Sequence, residues 1–269
     1  MKRIKKQSWI FLIAIICCIC LVYFNINSIS DWLHNVYISF NRTLIDENRY
    51  ILILKGLGTT VLISFASIII GSILGLFLYL LQRTNNIFLE KTSKLIVHIL
   101  QGIPITVLLL LFFYVVFANI NIDPILVAII TFSIYFSAYM CEVYKGSYDS
   151  INENQINSAY ALGFTKIQTI KYIVFPQMLS FALPVFKNES VTLIKLTSIS
   201  GYISVMELTK ASDIIRNRTY EAFFPLVVTA FIYFVLCYLF GKMLDYLNKK
   251  INKNILRKET KKWKIVTIF

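Results

Sequence analysis

Long apolar runs alternate with short polar segments along nearly the whole chain. A helix that crosses a bilayer needs roughly 20 mainly apolar residues, because it must traverse a hydrocarbon layer about 30 Å thick. The runs predict six spans: Ile10–Phe24, Ile51–Leu81, Leu95–Ala118, Pro124–Tyr144, Phe175–Met206 and Ala222–Leu244. The chain is therefore predicted to be an all-α integral membrane protein.

Composition supports this prediction. Apolar residues make up 57% of the 269 residues, charged residues only 15%, and the mean hydropathy is +0.68. A soluble domain of this length would expose more charge. The net charge of +13 could suggest nucleic acid, but the basic residues flank the apolar runs. We therefore expect membrane lipid as a partner and no nucleic acid.

The first apolar run is short and follows the basic segment Met1–Lys6, as in a secretory signal peptide. No Ala-x-Ala-like cleavage site follows it. We favour an uncleaved N-terminal membrane anchor helix within residues 1–30 over a cleaved signal peptide. Residues 31–50 would then form an extracytoplasmic linker.

Basic residues predict the orientation, since cytoplasmic loops carry an excess of lysine and arginine. With a cytoplasmic N-terminus and six alternating spans, 19 of the 27 basic residues lie inside and six outside. The other two, Lys187 and Lys195, fall within the fifth span. This predicts a multi-pass cell-membrane protein with both termini cytoplasmic and a basic cytoplasmic tail at 248–269.

Two segments stand out from the simple pattern of spans. Ser67, Gly71 and Gly75 are four residues apart, which predicts a helix face that another helix approaches closely. The polar segment from Glu142 to Phe175 is about 30 residues long, more than a connector needs. It predicts a short helix within 151–162 that ends at Gly163, then an amphipathic stretch ended by Pro176. We interpret this cytoplasmic segment as a docking element.

Several short motifs in order resemble one family. Residues 154–163, followed by Phe175-Pro176-Gln177, resemble the "EAA" loop of ABC-importer permeases of the polar amino acid branch. The resemblance runs from about Gly56 to Leu247. Its other pieces are Gln101-Gly102-Ile103-Pro104, Ala138-Tyr139 with Glu142, Lys195-Leu196-Thr197-Ser198 and Glu207-Leu208-Thr209. It implies a five-helix type I importer permease core, here at 51–247, plus one extra N-terminal transmembrane helix.

In that family the EAA loop is the coupling helix, which sits in a cleft on a cytoplasmic ATP-binding cassette ATPase. The resemblance implies this role for five residues: Gln155, Asn157, Ser158, Ala159 and Gly163. Ser158 and Ala159 are small enough for close approach, Ile156 and Tyr160 could fill a partner's surface, and Gly163 permits a sharp exit. An ordinary loop helix is the alternative. The chain departs from the family pattern at Gln101, Asn157, Ser158 and Leu196.

The fifth span contains polar residues that are costly in a bilayer. A charge at the bilayer centre costs roughly 2.5–3.5 kcal/mol on insertion scales, so such residues usually face a cavity or a partner. We expect them to border the translocation pathway: Asn188, Glu189, Thr192, Lys195, Thr197 and Ser198. Helical spacing places Asn188, Thr192 and Lys195 on one face, as a polar stripe, with Glu189 adjacent to Thr192. Lys195 and Glu189 could complement the carboxylate and ammonium of an amino acid. Alternatively, Lys187 reaches the interface and Glu189 pairs with a neighbouring helix for stability alone.

The sequence contains no G-x-x-x-x-G-K-[ST] motif and no metal-ligand spacing. We therefore expect no cofactor or metal on this chain and no enzymatic activity, with ATP bound by a partner subunit. The family resemblance implies three protein partners: the ATPase, an extracytoplasmic substrate-binding protein, and a second permease copy or paralogue. An ion-gradient-driven secondary transporter or channel is the alternative, with inverted repeats as its sign. A membrane-embedded enzyme would need a catalytic constellation such as H-E-x-x-H.

Overall fold

The computed structural model describes the backbone of residues 34–266 and side chains up to residue 251. Every regular element in this part of the chain is a helix. Four helices are long and apolar enough to cross a membrane, and a bent helix pair supplies a fifth candidate. The predicted N-terminal anchor at 1–30 lies outside the described residues.

The central pair of helices is α1 (Tyr50–Gln82) and α4 (Pro124–Asp149). A Cβ added at Gly75 would lie 2.5 Å from the Cβ of Met140, and one at Gly71 would lie 2.8 Å from the carbonyl oxygen of Ser133. Both separations are shorter than the van der Waals contact distance of these atoms, so only glycine fits at the two positions. The predicted small-residue packing face is confirmed.

The third apolar run is not one straight span. It forms α2 (Ile87–Gly102) and α3 (Ile105–Leu111), which continues as a wide helical turn over Phe112–Val116. The two parts are bent by 105°. Pro104 explains the break, since it lacks an N–H donor and forces the preceding residue into extended backbone.

The polar segment folds as α5 (Glu153–Ala161) and α6 (Lys166–Thr169), which leads into α7 (Phe175–Leu196). The prediction that Pro176 ends the amphipathic stretch is wrong, because one continuous helix spans Lys166–Ile203. Pro176 sits in the first turn of α7, directly after a wide turn over Ile170–Val174. Such a turn has an altered hydrogen-bond register, which accommodates a residue without an N–H donor.

Beyond α7, a 3-10 turn over Thr197–Ile203 leads to α8 (Leu208–Thr219) and then to α9 (Phe223–Val266). α8 packs on the first turns of α1 and α9, at the bundle end that we call the α8 end. α5 and α6 lie at the opposite end, which we call the hairpin end. In the most apolar 18-residue stretches of the α7 and α9 spans only 17% of the residues are buried. Most of their apolar surface is therefore left for lipid or for another protein.

Candidate functional site

α5 and α6 form a helical hairpin whose turn depends on Gly163. Its φ is +80°, and a Cβ at this position would meet nothing within 4 Å. The glycine is therefore required by its left-handed backbone and not by lack of space. On either side, the Asn152 side chain accepts from the Asn154 N–H at 2.9 Å, and Thr165 with Gln168 forms a capping box that starts α6. The prediction of a helix ended by Gly163 is confirmed.

One side-chain hydrogen bond joins this hairpin to a span, and a second contact joins two spans at the same end of the bundle. Gln177 Nε2 donates to Gln155 Oε1 at 2.7 Å, which joins α5 to the start of α7. The Arg83 guanidinium lies 3.7 Å from the centre of the Tyr148 ring, which joins the end of α1 to the end of α4. The hairpin is thus joined to α7 by the hydrogen bond and to α4 by the chain itself, and α4 in turn contacts the end of α1.

The exposed surface of the hairpin differs in part from the sequence expectation. Gln155, Asn157, Ser158 and Gly163 are exposed. Ala159 is only 2% exposed, so it packs within this chain and is not available to a partner. Ile156, expected to fill a partner's surface, is half-buried, whereas Tyr160 is exposed.

Sequence reasoning missed the two most prominent apolar side chains of the hairpin. Leu162 is 77% exposed and Ile167 is 78% exposed, on either side of the Gly163 turn. The available signal was an apolar residue directly before the glycine and another four residues after it. Exposed apolar groups clustered at a turn are typical of a protein contact.

An open groove of about 540 Å³ lies between α7 and α9. Three residues of the predicted polar stripe line it: Asn188, Thr192 and Lys195. α9 contributes Lys242 and Asp245 to the opposite wall. The helical spacing that placed the three α7 residues on one face is therefore confirmed.

The three lysines of the groove differ in whether another side chain interacts with their charge. Lys187 Nζ lies 2.8 Å from Asp245 Oδ1, so this lysine forms an ion pair across the two helices instead of merely reaching the interface. Lys242 Nζ lies 4.8 Å from the centre of the Tyr238 ring. Lys195 is exposed to the groove and forms no ion pair with any described residue.

The other three residues predicted to border the pathway do not line this groove. Glu189 does not line the groove and instead lies near Tyr135 of α4. Lys195 and Glu189 therefore do not act as neighbours, since six residues at 100° each place them on well-separated faces. Thr197 is fully buried and donates to the Ile194 carbonyl at 2.7 Å. Ser198 donates to the Lys195 carbonyl at 2.8 Å.

At the α8 end, a buried carboxylate organises the contact between three helices. Glu207 is 0% exposed and caps α8, accepting from the N–H groups of Thr209 at 2.7 Å and Lys210 at 2.6 Å. The Tyr233 hydroxyl of α9 donates to the same carboxylate at 3.1 Å. Burial raises the pKa of the Glu207 carboxyl, while these donors counteract the shift.

The same cluster reaches α1. Thr60 Oγ1 accepts from the Leu208 N–H at 3.1 Å, and a Cβ added at Gly56 would lie 2.8 Å from the Glu207 carbonyl oxygen. Sequence reasoning noted Glu207 only as part of a motif. An acidic residue that precedes a short helix was the signal for a cap.

No group of three or more histidine, cysteine, aspartate or glutamate side chains that could hold a metal occurs among the described residues. The architecture is a bundle with a polar groove and a hairpin attached to its spans. The family model for "Binding-protein-dependent transport system inner membrane component" matches residues 67–253.

This chain belongs to that family of transport permeases. It is 32% identical over 215 residues to the probable amino-acid ABC transporter permease protein YckA of Bacillus subtilis (strain 168), which covers 80% of this chain and 94% of that protein. It is 27% identical over 221 residues to the histidine/lysine/arginine/ornithine transport system permease protein HisQ of Escherichia coli (strain K12), covering 76% and 95%. The resemblance stated from the sequence motifs is confirmed.

Solved structures agree with the permease fold. An amino acid ABC transporter crystallised with histidines matches with a TM-score of 0.69 at 28% identity, over 74% of this chain and 94% of that one. The methionine ABC transporter MetNI in an inward-facing form matches with a TM-score of 0.66 at 20% identity, over 77% and 99%, and supports the fold alone. This permease is an all-α, multi-pass membrane protein, as the sequence predicts.

Proposed function

We propose that this permease is the transmembrane subunit of an ATP-driven importer for polar amino acids. Its relatives are amino acid ABC transporter permeases, which supports the substrate class. ATP would be bound and hydrolysed by a separate cytoplasmic ATPase. An extracytoplasmic binding protein would deliver the substrate, and a second copy of this chain or a paralogue would complete the pathway. The sparsely buried faces of α7 and α9 support such a pairing.

The observation on which the proposal depends is the exposed apolar turn of the hairpin. Leu162 and Ile167 are the most exposed apolar side chains of the hairpin, which one hydrogen bond joins to α7. Burying them in a cleft of the ATPase would supply a hydrophobic contact. Exposed Gln155, Asn157 and Ser158 would form the surrounding polar contacts.

Coupling then follows from the attachments of the hairpin. When ATP binding closes the ATPase pair, the hairpin is displaced together with the helices that it contacts. The Gln155–Gln177 hydrogen bond would transmit this motion to α7, and the Arg83–Tyr148 contact would link the ends of α1 and α4. The nucleotide state would thereby shift the population between inward-open and outward-open bundles.

Exchanging Gly163 tests this coupling. Gly163→Pro should lower ATP-dependent amino acid uptake by about tenfold or more, because proline fixes φ near −65° and removes the N–H that donates to Tyr160 at 2.9 Å. Gly163→Asn is the matched control, since asparagine tolerates the left-handed region. Uptake should be measured in vesicles that contain the assembled transporter. Equal uptake by both variants, with equal amounts in the membrane, would remove the hairpin from the mechanism.

The same vesicles test the energy source. Uptake that follows an ion gradient and persists without ATP would favour the secondary-transporter alternative.

The orientation in the membrane is tested separately with Ser158→Cys in the hairpin and Asn217→Cys in α8, both at exposed positions. A membrane-impermeant maleimide should label the first only in inverted vesicles and the second only in right-side-out vesicles. The opposite pattern would overturn the proposed orientation with both termini inside.

A further inference from the structure

We propose that the last part of α9 binds the surface of a membrane that contains anionic lipids. The apolar span of α9 covers Phe223–Ile251, and the helix continues without interruption to Val266. We call residues 252–266 the α9 extension. Nearly all of it lies beyond residue 253, where the family match ends, and the importer mechanism does not use it.

Basic residues are concentrated where α9 leaves its span. Residues 249–264 contain eight lysines and arginines and a single acidic residue, Glu259. The basic residues are Lys249, Lys250, Lys253, Arg257, Lys258, Lys261, Lys262 and Lys264. Clusters of roughly four to eight such residues directly beside a transmembrane helix, on its cytoplasmic side, are typical of binding to anionic lipid headgroups.

Helical register separates the apolar positions of this segment from most of the basic ones. At about 100° per residue, one half of the helix contains all the apolar positions: Ile251, Ile255, Leu256, Trp263, Ile265 and Val266. Six of the basic positions share the opposite side: Lys249, Lys250, Lys253, Arg257, Lys261 and Lys264. Lys258 and Lys262 fall within the apolar half, where the long stem of a lysine can lie along apolar surface. A basic amphipathic helix of this kind is typical of the membrane interface.

A lipid surface fits this pattern better than a second copy of the chain. Two α9 extensions side by side would bring like charges together, which disfavours their association. The partner must offer negative charge and apolar surface directly beside the end of the span. The headgroup region of the cytoplasmic leaflet offers both at that place.

Binding along the surface requires α9 to bend where it leaves the span. A straight continuation at about 1.5 Å per residue would carry Trp263 about 18 Å beyond Ile251. That exceeds the Debye length of about 8 Å at physiological ionic strength, so the distal charges would be screened from the headgroups. Asn248, Asn252 and Asn254 lie at the exit from the span, and the low helix propensity of asparagine makes a bend there inexpensive.

Trp263 provides the probe for this contact. Trp9→Phe and Trp32→Phe leave it as the only tryptophan of the chain. The full-length permease carrying these two changes should be placed in nanodiscs whose lipids are brominated on their acyl chains, with and without the ATPase. With phosphatidylglycerol present, Trp263 fluorescence should be quenched and shifted to the blue. With phosphatidylcholine alone, quenching should fall to about half or less, because the electrostatic attraction is lost.

Charge-removing variants test whether the basic positions cause this binding. Lys253→Gln, Arg257→Gln, Lys261→Gln and Lys264→Gln together should remove most of the quenching in phosphatidylglycerol nanodiscs. The matched control removes the same charge at four exposed positions outside α9, by Lys91→Gln, Lys94→Gln, Lys166→Gln and Lys171→Gln. It should leave the quenching unchanged.

Three results would overturn the inference: equal quenching in the two lipids, no quenching in either, or no loss in the fourfold variant of the α9 extension. Quenching that disappears when the ATPase is added would assign the extension to that subunit and would also overturn it. The measurement needs no transport, so its outcome is independent of the importer function.

Discussion

Glu207 at the α8 end and Lys195 in the groove are both charged residues of a largely apolar bundle, and their surroundings are opposite. Glu207 is fully buried, and two backbone N–H groups and the Tyr233 hydroxyl donate to its carboxylate. Lys195 is exposed to an open groove and has no ion-pair partner among the described residues. The first charge is satisfied by donors within the bundle, whereas the second is exposed to the groove.

This difference separates a structural charge from one that is available for binding. A buried carboxylate with all its donors in place fixes the helices that supply them, and removing it leaves those donors unsatisfied. A cation in an open groove contributes little to folding and can still interact with a solute. Sequence position alone does not make this distinction, because both residues lie in motifs shared with the same family.

Removing the Glu207 carboxylate should cause the largest loss of stability. Glu207→Ala leaves the N–H groups of Thr209 and Lys210 and the Tyr233 hydroxyl without an acceptor, at about 1–3 kcal/mol for each buried donor. The thermal transition of the detergent-purified complex, followed by fluorescence size-exclusion, measures this effect.

Two milder variants make this test interpretable if the alanine variant does not fold. Glu207→Gln keeps the shape of the side chain but places its amide N–H₂ group against a hydrogen-bond donor. Its loss of stability should therefore be smaller than that of Glu207→Ala. Tyr233→Phe removes one hydrogen bond, at about 0.5–1.5 kcal/mol. A transition that stays unchanged in Glu207→Gln would contradict the structural role of this carboxylate.

Gly56→Ala should destabilise the same region through a steric clash. Its new Cβ would lie 2.8 Å from the Glu207 carbonyl oxygen and 3.0 Å from the Ala211 Cβ, which forces α1 away from α8. Overpacking of this kind costs about 1–3 kcal/mol. Gly58→Ala, two residues farther along the same helix and with no atom within 4 Å of its new Cβ, is the matched control and should not destabilise the complex. Equal melting of both variants would show that the α1–α8 contact is not tight.

Much of the fold could be predicted from the apolar runs and small residues. The Gly71 and Gly75 contact follows directly from their spacing, and a glycine after a short polar helix predicts the helix end that the left-handed backbone of Gly163 forms. The bend between α2 and α3 was missed because hydropathy does not distinguish one straight span from two short helices. Pro104 marked the break, but a proline in an apolar run can also kink a helix without dividing it.

The candidate site was less predictable, since side-chain direction depends on tertiary packing. Periodicity placed Asn188, Thr192 and Lys195 on one face, but it could not identify α9 as the opposite wall. Nor could it reveal that Asp245, 58 residues away, pairs with Lys187. Ala159 was expected on the partner-facing surface because it is small, and it is buried for the same reason.

The ion pair between Lys187 and Asp245 is intermediate between Glu207 and Lys195 in pairing and exposure. It is paired like Glu207, yet its two side chains are 29% and 51% exposed. Exposed pairs contribute about 0.2–1 kcal/mol in double-mutant cycles. The cycle Lys187→Met, Asp245→Asn and the double variant should therefore give a coupling in this range from their melting transitions. A coupling well above it would mean that the groove is closed around the pair in the assembled transporter.

Replacing Lys195 should have the smallest effect on stability. Lys195 forms no ion pair within the part of the chain that the structure describes, so we expect Lys195→Met to change the free energy of unfolding by no more than about 0.5 kcal/mol. Amino acid binding by the same preparation should nevertheless change, because the cation is lost while the bundle remains intact. Glu207→Gln should show the reverse pattern, with lower stability and amino acid binding that is retained in the folded fraction. A Lys195→Met complex that melts as early as the Glu207 variants would make both charges structural.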